Sequence, residues 1–175
     1  YVYFREERGG EGSHPPSPSL PSSSPLLSHF PFPDCNVHRM RVEIDPAEAA
    51  NAYAKILRDD LGEQLAFDLL MLGLGGDGHT ASLFPGTDPL TDDDRLVRPT
   101  YSKATQTNRL TVTPKIINGA RRIAVAVQGS EESAALAKTR EGAYDPTACP
   151  AQLVDPTRSD ADFGWPVDRR AAGMR

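Results

Sequence analysis

Apolar positions along the chain fall into two patterns, short unbroken runs and helical repeats, separated by one long polar stretch. "FDLLMLGLGG" is a near-continuous apolar run closed by glycines, the pattern of a parallel strand buried on both faces. "RRIAVAVQG" repeats that pattern, and the opening "YVYF" reads as a third strand. The predicted strands are therefore Tyr1 to Phe4, Phe67 to Leu72 and Ile123 to Val127. A helix starts at Asp45 as N-cap, with Pro46 in its first position and Glu48 three residues after the cap. Ala49, Ala50, Tyr53, Ala54, Ile56, Leu57 and Leu61 then recur at helical spacing until Gly62 ends it. "NRLTVTPKIINGA" reads as a strand, a turn at Pro114 and a short helix, and "SEESAALAKTREG" as a helix after the strand before it. Val37, Met40 and Val42 mark a short buried piece. Strands alternating with helices predict an α/β fold with a parallel sheet covered by helices.

The polar stretch, "GGEGSHPPSPSLPSSSP" from Gly9 to Pro25, holds almost nothing to bury. Such a composition cannot offset the entropy of ordering, so this segment is expected to be disordered or extended. The chain has 175 residues, 38% hydrophobic and 25% charged, which fits one soluble globular domain over residues 1–175. A net charge of -5 argues against a nucleic-acid partner, which wants a basic surplus. No apolar run approaches the roughly 20 residues of a spanning helix, so no membrane partner is expected. Cys35 and Cys149 lie far apart without a CxxC pattern, which signals neither a disulfide framework nor a zinc site and favours a reducing compartment. "TDDDR", from Thr91 to Arg95, reads as an acidic surface turn, not a metal site. His14 and His29 read as solvated, and His38 and Trp165 as packing residues. The chain opens at Tyr1 inside a predicted strand and reads as a fragment. A cytoplasmic location is the default, because a targeting peptide upstream would be invisible.

Chemistry concentrates in "GLGGDGHTASLFPG", Gly73 to Gly86, at the carboxyl end of a predicted strand, where parallel sheets bind ligands. Glycines there permit positive φ and close approach of backbone N–H groups to a ligand, so Gly75, Gly76 and Gly78 are candidate substrate contacts. Thr80 and Ser82 read as helix-start residues that would aim a helix N-terminus at an anion. His79 supplies an imidazole, whose ordinary pKa near 6.5 suits proton transfer, and Asp77 stands two residues away to orient it. No Gly-Lys-Ser/Thr follows, so this is no Walker loop, and the bare GxGxxG match is weak. A tight turn between strand and helix with a solvated His79 fits the same letters.

"FDLLMLGLGGDGHTASLFPG", "RLTVTPKIINGARRIAVAVQGSEESA" and the closing "PAQLV" and "WPVDRRAA" resemble the signature of the 6-phosphogluconolactonase family. "VYFREER" is similar to its strand ending in Asp-Glu-Arg, and "NVHRMRVEIDPAEAANAY" to the segment before its next helix. The resemblance implies a Rossmann-like α/β fold shared with glucosamine-6-phosphate deaminases and ribose-5-phosphate isomerases. It implies hydrolysis of 6-phospho-D-glucono-1,5-lactone in the oxidative pentose phosphate pathway, with no metal and no organic cofactor. His79 takes the place of the family's general base, Arg8 and Glu7 that of its Glu-Arg pair, and Arg109 that of the arginine before its Thr-rich strand. A linked or fused glucose-6-phosphate dehydrogenase, upstream or downstream, is the protein partner the resemblance suggests.

Departures from the family pattern set further expectations. The family's opening βαβ unit, whose Gly-Gly-Ser-Thr-Pro-like loop holds the substrate phosphate, has no counterpart here. Gly9 to Pro25 is foreign in composition, as a compensated frameshift or misread exon would make it. Glu132 stands where the family places a phosphate-contacting lysine, and Glu6 replaces the Asp of the triplet. A carboxylate at that place repels the phosphate. The alternatives to a lactonase are a deaminase-like sugar-phosphate enzyme and a catalytically inactive piece of a longer chain.

Overall fold

Helix α1 spans Pro46–Leu61, and its start is the one the sequence predicts. The Asp45 carboxylate accepts from the N–H groups of Ala47 and Glu48, both at 3.0 Å, satisfying two donors that have no partner inside the helix. Gly62 ends it at φ +62°, where a side chain would be strained. Ala49, Ala50, Tyr53, Ala54 and Leu57 line the buried stripe. Tyr53 donates its hydroxyl to the Phe4 carbonyl at 2.9 Å, with the His38 carbonyl at 3.0 Å, which fastens α1 to two strand ends. The computed structural model describes residues 1–8, 32–90, 94–156 and 160–173. The Ser/Pro segment with His14 and His29, and the first three residues of the acidic turn, lie outside the described residues.

The strands of the described residues form three small sheets. Strands β1 (Val2–Tyr3) and β3 (Val37–His38) pair in parallel, as do β4 (Leu70–Gly73), β7 (Arg122–Ala126) and β8 (Asp162–Gly164), in the order β4-β7-β8. Between β4 and β7 lie β5 (Val97–Ser102), β6 (Thr107–Val112) and the short helix α2 (Pro114–Asn118), and α3 (Ser133–Glu141) follows β7. Two parallel sheets with flanking helices make this an α/β fold, as expected. The third sheet was not expected: β2 (Glu6–Arg8), β6 and β5 pair antiparallel in the order β2-β6-β5. The strand predicted at Tyr1 to Phe4 is shorter than expected because the chain leaves β3 after Tyr3 and joins β6 at Glu6. Pro99, which cannot donate to a ladder, is tolerated because β5 is an edge strand.

The core gathers Leu57, Leu70, Leu72, Leu110, Val112, Ile116, Ile123 and Val125. One expectation fails in β4, which is not buried on both faces. Leu70 and Leu72 are buried, while Leu69 and Met71 remain 56% and 57% exposed. An unbroken apolar run reports what a strand is able to bury and not what covers it. His38 is a packing residue as expected, stacked on Tyr3 with ring centroids 4.9 Å apart, and Trp165 packs on the core beside Phe163.

Candidate active site

Residues 75–79, "GGDGH", form a turn in which several backbone and side-chain groups are consumed locally. The Gly75 N–H donates to the His79 carbonyl and the Gly78 N–H to the Gly75 carbonyl, both at 2.9 Å. Asp77 Oδ1 accepts from the His79 backbone N–H at 3.0 Å and lies 2.5 Å from His79 Nδ1. An ionised carboxylate only accepts, so Nδ1 carries the proton, and in the neutral ring Nε2 keeps its lone pair. The same oxygen therefore closes the turn and sets the tautomer. Partial burial pushes the Asp77 carboxyl up, but the two hydrogen bonds from His79 and the imidazole charge outweigh it, leaving the group below its ordinary value.

Two glycines are required by space. A Cβ on Gly75 would lie 2.2 Å from His79 Cε1 and Nδ1, so the imidazole occupies the room that a side chain would take. Gly78 has φ +84°, and a Cβ there would come within 2.8 Å of the buried Cys149 sulfur. Gly76 differs: its Cβ would meet nothing closer than the Glu131 carbonyl at 3.7 Å, an ordinary contact. The expected ring of positive-φ glycines is corrected accordingly, since Gly78 alone among these has positive φ. The N–H groups of Gly75 and Gly78 serve the turn itself.

The expected helix after the loop is also absent. Thr80 gives its hydroxyl to the Gly73 carbonyl at 2.8 Å instead of capping a helix, and Ala81 takes φ +48°. The Ser82 N–H donates to Thr111 Oγ1 at 3.2 Å, and the Leu83 N–H closes a turn on the Thr80 carbonyl at 2.9 Å. The segment is thus pinned to β6, and residues 80–87 form no helix.

That attachment brings in the arginines. Arg8 and Arg109 are register partners of the antiparallel β2/β6 pair, with Thr100 opposite Arg109 on β5. Directly paired residues share a face, so Arg8, Arg109 and Thr100 form one row on the face that also carries Thr111 and meets the His79 loop. Sequence spacing gives no sign of this pairing. Glu7 pairs with Leu110 through the backbone, and its side chain lies outside the described part. Two residues escaped the sequence reading. Phe84 has its ring centroid 4.9 Å from that of His79 and 5.4 Å from the Arg109 guanidinium carbon. Thr105 accepts from Arg109 Nη2 at 3.4 Å. Glu132 stands at the N-terminal boundary of α3, in the turn after β7, without a side-chain capping bond, and this turn abuts Gly76 through the Glu131 carbonyl. The carboxylate noted in the sequence thus belongs to a turn bordering the loop. No cluster of metal-ligating side chains occurs among the described residues.

A carboxylate-oriented imidazole at a strand end, with the Arg109 guanidinium on the far side of the Phe84 ring, is an arrangement able to do acid–base chemistry in an α/β protein. Residues 1–163 match the model of the glucosamine-6-phosphate isomerases/6-phosphogluconolactonase family, and the chain belongs to that family. It is 35% identical to the 6-phosphogluconolactonase of Synechocystis over 98% of this chain and 71% of that protein. It is 36% identical to the human 6-phosphogluconolactonase over 85% of this chain, and spans 58% of that protein. The crystal structure of 6-phosphogluconolactonase from Thermotoga maritima superposes with a TM-score of 0.77 at 26% identity, covering 94% of this chain and 71% of that one. These relatives favour the lactonase branch, hydrolases of carbohydrate metabolism, over the deaminase branch. No helix among the described residues is long and apolar enough to cross a membrane.

Proposed function

We propose that this chain hydrolyses 6-phospho-D-glucono-1,5-lactone to 6-phosphogluconate, with His79 as general base. The observation that carries the reading is the single Asp77 oxygen shared by the backbone and ring of His79. With Nδ1–H held by Asp77, Nε2 takes a proton from water, and the hydroxide adds to the lactone carbonyl. The tetrahedral intermediate collapses by breaking the ring C–O bond, and the imidazolium returns its proton to the departing alkoxide. One water is added across the ester, and the new acid ionises. Arg8 and Arg109 hold the phosphate or the oxyanion, a task suited to planar guanidinium forks. Gly76 and Asp77 are the exposed positions of residues 75–79. The reading extends to a cytoplasmic enzyme supplied with lactone by a linked or fused glucose-6-phosphate dehydrogenase, which co-purification and cell fractionation test.

The test is a coupled assay on freshly generated lactone, corrected for spontaneous hydrolysis, with an ammonia-release arm on glucosamine 6-phosphate. Lactone turnover that His79→Ala abolishes without loss of fold is the expected result. Parent-like turnover in that variant refutes the base, and ammonia release without lactone turnover moves the chain to the deaminase branch.

A further inference from the structure

We infer that Phe84 is a positioning residue, whose ring sets the spacing between the proton-transfer group His79 and the anion-binding Arg109. The inference rests on the functional reading above for the roles of those two residues, and on independent geometry for the role of Phe84. The Phe84 ring touches both partners, with its centroid 4.9 Å from the imidazole at an interplanar angle of 46° and 5.4 Å from the Arg109 guanidinium carbon. The second distance is within the reach of a cation over an aromatic face. The tilted pair is a favoured arrangement for two rings.

The ring can act as a spacer because its backbone is fixed on both sides. The Ser82 N–H is tied to Thr111 on β6, and Thr87 donates its hydroxyl to the Phe84 carbonyl at 2.7 Å. Gly86 is held through its N–H by the Thr147 carbonyl at 3.0 Å. From the other side, Arg109 rises from β6 and is steadied by Thr105, which itself lies 2.8 Å from the Thr107 hydroxyl. His79 is oriented by Asp77 within its own turn, and Arg109 belongs to a different sheet. Phe84 is in contact with both, so it couples the loop at the end of β4 to the antiparallel sheet.

The test uses the full chain with inorganic phosphate as probe, read through the His79 ring resonances by NMR and alongside lactone kinetics. Phe84→Leu removes the ring and keeps apolar bulk, and Phe84→Tyr keeps the ring. In the parent and in Phe84→Tyr, phosphate shifts the His79 resonances saturably. In Phe84→Leu, with its circular dichroism unchanged, phosphate affinity falls about fivefold to thirtyfold and KM rises while kcat drops. Should Leu lower Tm substantially, Phe84→Met is read by the same criteria. A purely structural role would lower Tm and leave phosphate affinity and the ratio of kcat to KM of the folded protein unchanged, which overturns the inference. Parent-like affinity in the ring-less variants, or no response of His79 to phosphate in the parent, overturns it too. A phosphate response that depends on the ring without any lactone turnover supports the positioning role and refutes the functional reading instead.

Discussion

Replacing Asp77 by Asn tests the orientation of the base with the least disturbance of shape. Asp77 Oδ1 holds the His79 backbone N–H at 3.0 Å and lies 2.5 Å from Nδ1. The Asn oxygen can accept both bonds, and turning the amide to offer its NH2 to the ring would surrender the backbone bond. The turn and the tautomer are therefore retained, and what is lost is charge. A hydrogen bond to a charged group contributes about 1.5 to 3 kcal/mol. The Asp77 and His79 side chains are 51% and 31% exposed, so solvent screening places this pair at the lower end. About 1.5 to 2 kcal/mol corresponds to a fall in kcat of about tenfold to thirtyfold, with KM nearly unchanged. That is far short of the roughly ten-thousandfold loss that an inverted tautomer produces in a buried triad. Asp77→Ala removes the oxygen that accepts both bonds and should lose about a hundredfold or more, because the His79 N–H is left without its partner. The assay is initial-rate hydrolysis of fresh lactone, with spontaneous hydrolysis subtracted at each concentration. Asp77→Asn activity within about twofold of the parent would show that the carboxylate charge does not assist the base.

Further expectations concern space, acid and packing. Gly75→Ala places a Cβ 2.2 Å from the imidazole and should abolish turnover, whereas Gly76→Ala, with nothing nearer than 3.7 Å, should keep the parent rate; equal effects in the two variants would mean that the ring is not seated over Gly75. The Asp77 carboxyl titrates below its ordinary value in the folded chain. Its stabilisation is therefore full above about pH 4 and disappears as the pH falls through the folded value. The Tm gap between parent and Asp77→Asn should accordingly close on acidification, and a gap independent of pH contradicts the linkage. Leu57 is fully buried, so Leu57→Ala should cost about 2 to 5 kcal/mol in urea unfolding, and a negligible loss would place α1 outside the core.

The elements legible in the sequence are those whose signal is local. Asp45, Pro46 and Gly62 bound α1 because capping is settled within a few residues, and the periodic apolar stripe needs only a partner surface. The antiparallel sheet was hidden for the opposite reason. β6 reads as a strand in "NRLTVT", but β5 carries a proline and β2 looks like the end of the preceding strand, so nothing local signals the two that pair with it. Their pairing is decided by register between distant segments, and the meeting of Arg8 with Arg109 depends on it. The same contrast explains the missing helix after His79. Thr80 and Ser82 are good cap residues in isolation, but the Gly73 carbonyl claims the hydroxyl of one and Thr111 claims the backbone N–H of the other.

His79 itself was readable because its geometry is written almost entirely into five consecutive residues. Gly75 leaves the space, Asp77 fixes the ring, and Gly78 supplies the positive φ that lets the next residue, His79, fold back to the carboxylate. A motif so self-contained can orient an imidazole with little help from the rest of the chain. The arginine row has no such autonomy, since Arg8 and Arg109 come from β2 and β6, and the contacts of Thr111 with Ser82 and of Phe84 with Arg109 tie that sheet to the loop. Substitutions at Gly75, Asp77 or His79 should therefore act on kcat while leaving the arginine row intact. Changes at Phe84 or in the β2/β6 register should weaken anion binding before they disturb the base. A variant in β6 that lowered kcat alone, with phosphate affinity preserved, would show that the two halves are not divided in this way.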